Sequence, residues 1–252
     1  MHIYLVNDDG IGSKGIMALL RAACARGHQV SMCAPAQQQS AASHRITLTE
    51  PIFVHEFPVD EPNAKAYAIG GSPTDCVRVG MLQVIKEPVD MLISGINEGY
   101  NAGMAVHYSG TVGAAMEGTI NGIKSIAASI HHFADQEMID NFANFVIETA
   151  ERYLTKETKP FTILNINAPN VKPSELKGPV YAPLATSAFL DNYERRVAPR
   201  IGDYYWLMSG AMMEDFKEGT DSYYLEQGHV VFTVIGNPMC LSKEQFDDMG
   251  LI

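Results

Sequence analysis

Cysteine is scarce in this chain, basic residues are outnumbered, and no long apolar run occurs. The four cysteines, Cys24, Cys33, Cys76 and Cys240, form no Cys-x-x-Cys pair and no zinc-ligand spacing. They read as reduced thiols, and the compartment as the cytoplasm. Lys and Arg number 18 against 29 Asp and Glu, a formal charge of −11. The basic footprint that a stable nucleic-acid partner requires is therefore missing. No stretch approaches the roughly 18–20 apolar residues that span a bilayer, and the first residues read as a core strand, not as a signal peptide. No Gly-x-x-x-x-Gly-Lys-Ser/Thr loop is present, and no Gly-x-Gly-x-x-Gly follows the first strand, which argues against P-loop and NAD-linked chemistry. An anionic substrate would have to be drawn in by a metal or by helix N-termini.

What is present is an alternation of strands and helices. Strand patterns at about 2–7, 28–34, 89–95, 125–130 and 161–167 are separated by helical patterns at 13–26, 73–86, 109–121 and 136–153. Gly27 is placed to end the first helix, and Pro35 to stop the second strand. This rhythm predicts an α/β fold, a mostly parallel sheet with helices on both faces. The second half is less regular. Residues 204–208 and 229–235 look like strands, and about 171–228 reads as an antiparallel extension on a single 1–252 domain, with a tail from about 236.

The first strand runs straight into Asn7-Asp8-Asp9-Gly10. Ligands of open α/β sheets bind at the C-terminal ends of the strands, so Asp8 and Asp9 sit where chemistry is expected. Two adjacent carboxylates repel unless a cation lies between them, and a hard divalent ion such as Mg²⁺ or Mn²⁺ suits oxygen ligands. The same residues also fit an Asx turn with an N-cap. Ser40, in the loop leaving the second strand, and Asn97, after the strand at 89–95, can supply neutral oxygens. Around one divalent ion these four are close to neutral, so a phosphate dianion is not repelled. No His or Cys belongs to the set, which argues against zinc. Ser109-Gly110-Thr111 opens a helix and reads as a phosphate cradle or as plain capping by Ser109. Asn101 could add a donor. His44 and His107 lie in loops flanking these residues and are candidates for a general acid, or for solvated loop positions. Tyr108 reads as packing beneath the phosphate turn.

Several of these segments together resemble the SurE family, the survival-protein-E nucleotidases. The resemblance is carried by Asn7-Asp8-Asp9-Gly10-Ile11, by Ala34-Pro35 with Ser40 and Ile46-Thr47, and by Gly71-Ser72-Pro73-Thr74-Asp75-Cys76-Val77. It continues through Ser94-Gly95-Ile96-Asn97-Glu98-Gly99, Tyr108-Ser109-Gly110-Thr111-Val112-Gly113-Ala114-Ala115 and the Asn165–Asn167 strand end. It implies a Rossmann-like core whose C-terminal extension is exchanged between the subunits of a homodimer or homotetramer. It also implies a metal-dependent phosphatase acting on nucleoside 5′- and 3′-monophosphates, with some members shortening polyphosphate. Carried over by position, the metal ligands are Asp8, Asp9, Ser40 and Asn97. The catalytic set is Asp8, Asp9, Asn97 and Ser109, and the substrate contacts are Asn101, Ser109, Gly110 and Thr111. The chain departs from the family pattern at Ala41, where Gly is usual, at Arg45, where Ser is usual, and at Met104 and Ala105, which are often acidic. None of these removes an expected ligand.

Overall fold

A computed structural model describes residues 1–186, 189–212 and 216–236, the side chains of 189–191 and 209–212 excepted. Cys240 and the expected tail lie outside the described residues. Six strands form a parallel core: β1 (His2–Val6), β2 (Gln29–Pro35), β4 (Ala64–Ile69), β5 (Met91–Glu98), β6 (Lys124–Ile130) and β7 (Thr162–Ala168). β11 (His229–Gly236) and the edge strands β3 (Val54–Phe57) and β8 (Lys177–Tyr181) complete a nine-stranded sheet ordered β3-β4-β2-β1-β5-β6-β7-β11-β8. β3 and β11 run antiparallel to their neighbours β4 and β7.

The pleat sends alternate side chains to opposite faces. Ile3 and Leu5 of β1 join a core beneath α1 (Lys14–Ala25) and α4 (Gln136–Leu154), with Leu19, Ile139 and Val146. Tyr4 and Val6 join a second core with Cys76 and Val77 of α2 (Pro73–Val79) and Val112 of α3 (Gly110–Ile120). Both faces of the central strands are thus covered, which is why they read as continuous apolar runs. Helix ends follow local chemistry. Gly27, at φ +79°, ends α1, and the Asp135 carboxylate accepts the Met138 N–H to start α4.

The strand order reverses direction between β1 and β5. The chain builds outward from β1 through β2 and β4, and outward from β5 through β6 and β7. That reversal opens a crevice at the C-terminal strand ends, and Asp8 and Asn97 stand on its two sides.

Three sequence expectations change. The edge strand β3 and its neighbour β4 are absent from the sequence reading. The helical stretch 73–86 divides into α2 and a π-helical turn, Gly80–Val84, because the chain there crosses Tyr4. A Cβ on Gly80 would lie 1.9 Å from the Tyr4 hydroxyl. The expected antiparallel extension is present as a two-stranded hairpin that takes up part of 171–228. β8 joins the main sheet parallel to β11, and α5 (Asp221–Glu226) packs on β11. Only β9 (Phe189–Ala198) and β10 (Gly202–Met212) pair apart from the sheet, as an antiparallel hairpin.

Candidate active site

Asp8 lies two residues beyond the end of β1 and is buried, with 5 % of its surface exposed. Both of its oxygens accept hydrogen bonds from one residue. The Thr111 hydroxyl donates to Oδ1 at 2.6 Å and the Thr111 N–H to Oδ2 at 3.2 Å. Burial pushes the Asp8 carboxyl up to about 6, with the Thr111 hydroxyl pulling against it and the Asp9 charge adding to it. Asp9 is less enclosed. Its oxygens accept from the Gln38 side chain at 3.3 Å and the Glu98 N–H at 3.2 Å, and burial also raises its carboxyl above the ordinary range.

A cleft of about 160 Å³ opens beside Asp8, lined also by Ser40, Asn97, Tyr100, Asn101 and Ser109. The Asn97 amide nitrogen donates to the Gly99 carbonyl at 2.7 Å, so its oxygen is the atom left for a cation. Ser40 is exposed on the loop leaving β2. Its neighbour Ala41 sits at φ +56°, a left-handed conformation that Gly takes without strain and that costs Ala about 1–2 kcal/mol.

Two anchors hold the Ser40 loop against the site. Ser43 donates its N–H to the Tyr108 carbonyl and its hydroxyl to the His107 carbonyl, both at 3.0 Å. Asp75, in the capping box that starts α2, accepts the Thr47 N–H and hydroxyl at 2.9 and 2.6 Å. Burial works against the Asp75 charge, but the donors of Thr47 and Ser72 outweigh it and hold the carboxyl below its ordinary value.

The donor set fits a hard divalent cation. Two crowded carboxylates are both pushed toward protonation, and no Lys, Arg or His among the described residues forms a salt bridge with either. No three His, Cys, Asp or Glu side chains among the described residues cluster to hold a metal. Such a site here would have two carboxylates and would be completed by the neutral oxygens of Ser40 and Asn97.

The phosphate cradle differs from its sequence expectation. Ser109 caps α3, accepting the Val112 N–H at 3.1 Å, and still lines the cleft. Gly110 packs against the carboxylate. A Cβ there would lie 3.0 Å from Asp8 Cβ and from Pro73. Thr111 is fully buried and directs both donors at Asp8, so it orients that carboxylate and has no donor left for a phosphate oxygen. Asn101 is tied into a buried network. Its N–H donates to Asn167, its side-chain amide to Ser129, and its carbonyl accepts from both Asn165 and Asn167. His44 is not among the residues that line the cleft. Its Nε2 lies 2.9 Å from the buried Glu117, which also binds Arg78 at 3.0 Å. These links join residues far apart in the chain, and no local spacing announces them. The nearest sequence hint was the Asn165–Asn167 strand end.

A sequence model of the family described as survival protein SurE matches residues 3–191. The chain belongs to the SurE family. It is 38% identical over 246 residues to the 5′-nucleotidase SurE of Thermosipho melanesiensis, covering 98% of this chain and 94% of that one. The 5′-nucleotidase SurE of a Synechococcus strain is 38% identical over 237 residues, covering 92% and 90%. The crystal structure of the SurE protein from Aquifex aeolicus superimposes with a TM-score of 0.80 at 31% identity, covering 99% of this chain and 98% of that one. No described helix is long and apolar enough to cross a membrane.

Proposed function

We propose that this SurE-family chain is a metal-dependent phosphomonoesterase that releases phosphate from nucleoside 5′- and 3′-monophosphates. The observation that carries the reading is the pair Asp8 and Asp9 at the sheet's switch point, with Asn97 and Ser40 across the cleft and both oxygens of Asp8 oriented by Thr111. The names of the relatives support nucleotides as substrates.

Asp8, Asp9, Ser40 and Asn97 would hold one Mg²⁺, Mn²⁺ or similar ion, which when bound polarises a phosphoryl oxygen and acidifies water. The chain's own residues supply position and charge. Thr111 keeps Asp8 in one orientation, so the ligand set does not reorganise when substrate arrives. Among the described residues, Asp9 accepts two long hydrogen bonds. A carboxylate has about four lone-pair sites, which leaves Asp9 capacity to take the proton of an attacking water. The Ser109 hydroxyl lines the cleft at the start of α3, where the helix dipole favours negative charge, the Thr111 and Val112 N–H groups being held by Asp8 and Ser109. Asn101, with its backbone fixed by Asn165 and Asn167, holds the far wall.

The exposed β9–β10 hairpin carries Val197, Ile201, Tyr205, Trp206 and Leu207, each more than half exposed. An apolar ribbon of this kind fits a contact with a second copy, and we assign to it the homodimer or homotetramer contact.

The test is phosphate release from a panel of 5′- and 3′-nucleoside monophosphates with Mn²⁺, with Mg²⁺ and with a chelator. Release that needs metal and stops on chelation supports the reading. Nucleotide binding without release under any metal would replace it with a nucleotide-sensing module.

A further inference from the structure

Beyond the cleft, one group of side chains has no part in holding the metal or phosphate. β6 ends at Ile130, and the next three residues are His131, His132 and Phe133. Their rings pack on one another. His131 and His132 stack, with centroids 4.4 Å apart at 28°, and Phe133 lies tilted against both, 3.9 Å from His132 at 46° and 5.5 Å from His131 at 49°. Tyr100 meets the cluster edge-on, 5.1 Å from His131, and Tyr100 also lines the cleft beside Asp8. The row of contacts therefore adjoins the candidate active site through Tyr100. Its outer member is Phe133, 73 % exposed.

We propose that Tyr100, His131, His132 and Phe133 form a stacking platform for the base of a nucleotide whose phosphate occupies the cleft. The proposal rests on the reading of that cleft as a phosphate site. Three observations support it. The row is continuous with the cleft through Tyr100, so a ribose can bridge the two. The His131 Nδ1 accepts the Phe133 N–H at 3.2 Å. A backbone N–H only donates, so that ring is neutral and does not draw the phosphate away from the cleft; burial and the His132 neighbour favour the same form. Packing of the loop before α4 accounts for His131, but it does not account for Phe133, whose ring is left mostly in water. Stacking accepts any base face without reading its edge, and such a platform would make the enzyme selective for nucleosides while tolerant among bases.

The test uses the double variant His132→Ala, Phe133→Ala, two exposed positions outside the core. Adenosine, which carries no phosphate, reads the platform alone through an NMR titration of the Mn²⁺-free protein. Ribose 5-phosphate, which carries no base, reads the cleft alone through phosphate release with Mn²⁺. The variant should bind adenosine on the order of tenfold more weakly and raise KM for AMP by a similar factor at unchanged kcat, while ribose 5-phosphate is hydrolysed within about twofold of wild type. Adenosine affinity unchanged in the variant, or equal losses on AMP and ribose 5-phosphate, would overturn the platform. Because adenosine binding needs no turnover, the platform is judged even if the wild type releases phosphate from neither ester, a result that would remove the phosphoesterase reading instead.

Discussion

Replacing Thr111 by Val removes one hydroxyl and leaves the side chain's shape nearly unchanged. That hydroxyl makes the 2.6 Å hydrogen bond to Asp8 Oδ1, in a position with no solvent to replace it. A hydrogen bond to a charged group contributes about 1.5–3 kcal/mol, and supporting hydrogen bonds of this kind typically alter metal affinity about 10–100-fold. The Thr111 N–H remains on Oδ2, so the lower half of that range applies. Thr111→Val should therefore raise the half-saturating Mn²⁺ concentration for phosphate release by about 10–30-fold, and raising Mn²⁺ should recover most of the activity. Thr111→Ser keeps the donor and should stay within a few-fold of wild type. Activation curves recorded from micromolar to millimolar Mn²⁺ give both numbers. A Val variant with an unchanged Mn²⁺ curve and unchanged kcat would show that Thr111 does not orient a metal-binding carboxylate.

Glu117→Gln should weaken the link between the Ser40 loop, α2 and α3. With His44 and Arg78 both partly exposed, the cost is about 1–2 kcal/mol, read as a lower melting temperature. Glu117 and Asp75 both have carboxyls held below their ordinary values. Their stabilisation is complete above the unfolded carboxylate range near pH 4 and is lost as pH falls through their folded values, so melting temperature should drop in acid, and less steeply in Glu117→Gln. Gly113→Ala places a Cβ 2.4 Å from the Ser43 carbonyl oxygen. It should push the Ser40 loop off α3, costing about 1–3 kcal/mol and lowering activity more than Gly12→Ala, where a Cβ meets nothing. Trp206→Asp combined with Leu207→Asp should abolish the self-association proposed for the β9–β10 hairpin, read as a smaller mass in light scattering without unfolding of the core; an unchanged mass would place the contact elsewhere.

The parts of this fold that were legible in sequence are those buried on both faces. β1, β5, β6 and β7 are runs of Val, Ile, Leu and Ala because neither face meets water, and α1 and α4 repeat apolar residues at helical spacing. β3 was missed because Val54–Phe57 is an exposed edge with no alternation to detect, and β4 is only half-buried. The candidate ligands Asp8, Asp9, Ser40 and Asn97 could be named because each stands at or beyond the C-terminal end of a strand, where a parallel sheet gathers its loops. The role of Thr111 could not. It depends on a contact across 103 residues of chain, and the local pattern at a helix start looks the same whether its donors face a phosphate or a neighbouring carboxylate. The Asn101 network is hidden for the same reason, since its partners Asn165 and Asn167 come from another strand.

The most direct test is calorimetric titration of Mn²⁺ into metal-free protein and into Asp8→Asn, with circular dichroism on both. The wild type should bind one Mn²⁺ per chain, and Asp8→Asn should lose both binding and phosphate release with its spectrum unchanged. Equal Mn²⁺ binding by the two proteins, or phosphate release by Asp8→Asn at the wild-type rate, would show that Asp8 is not a metal ligand of the reaction.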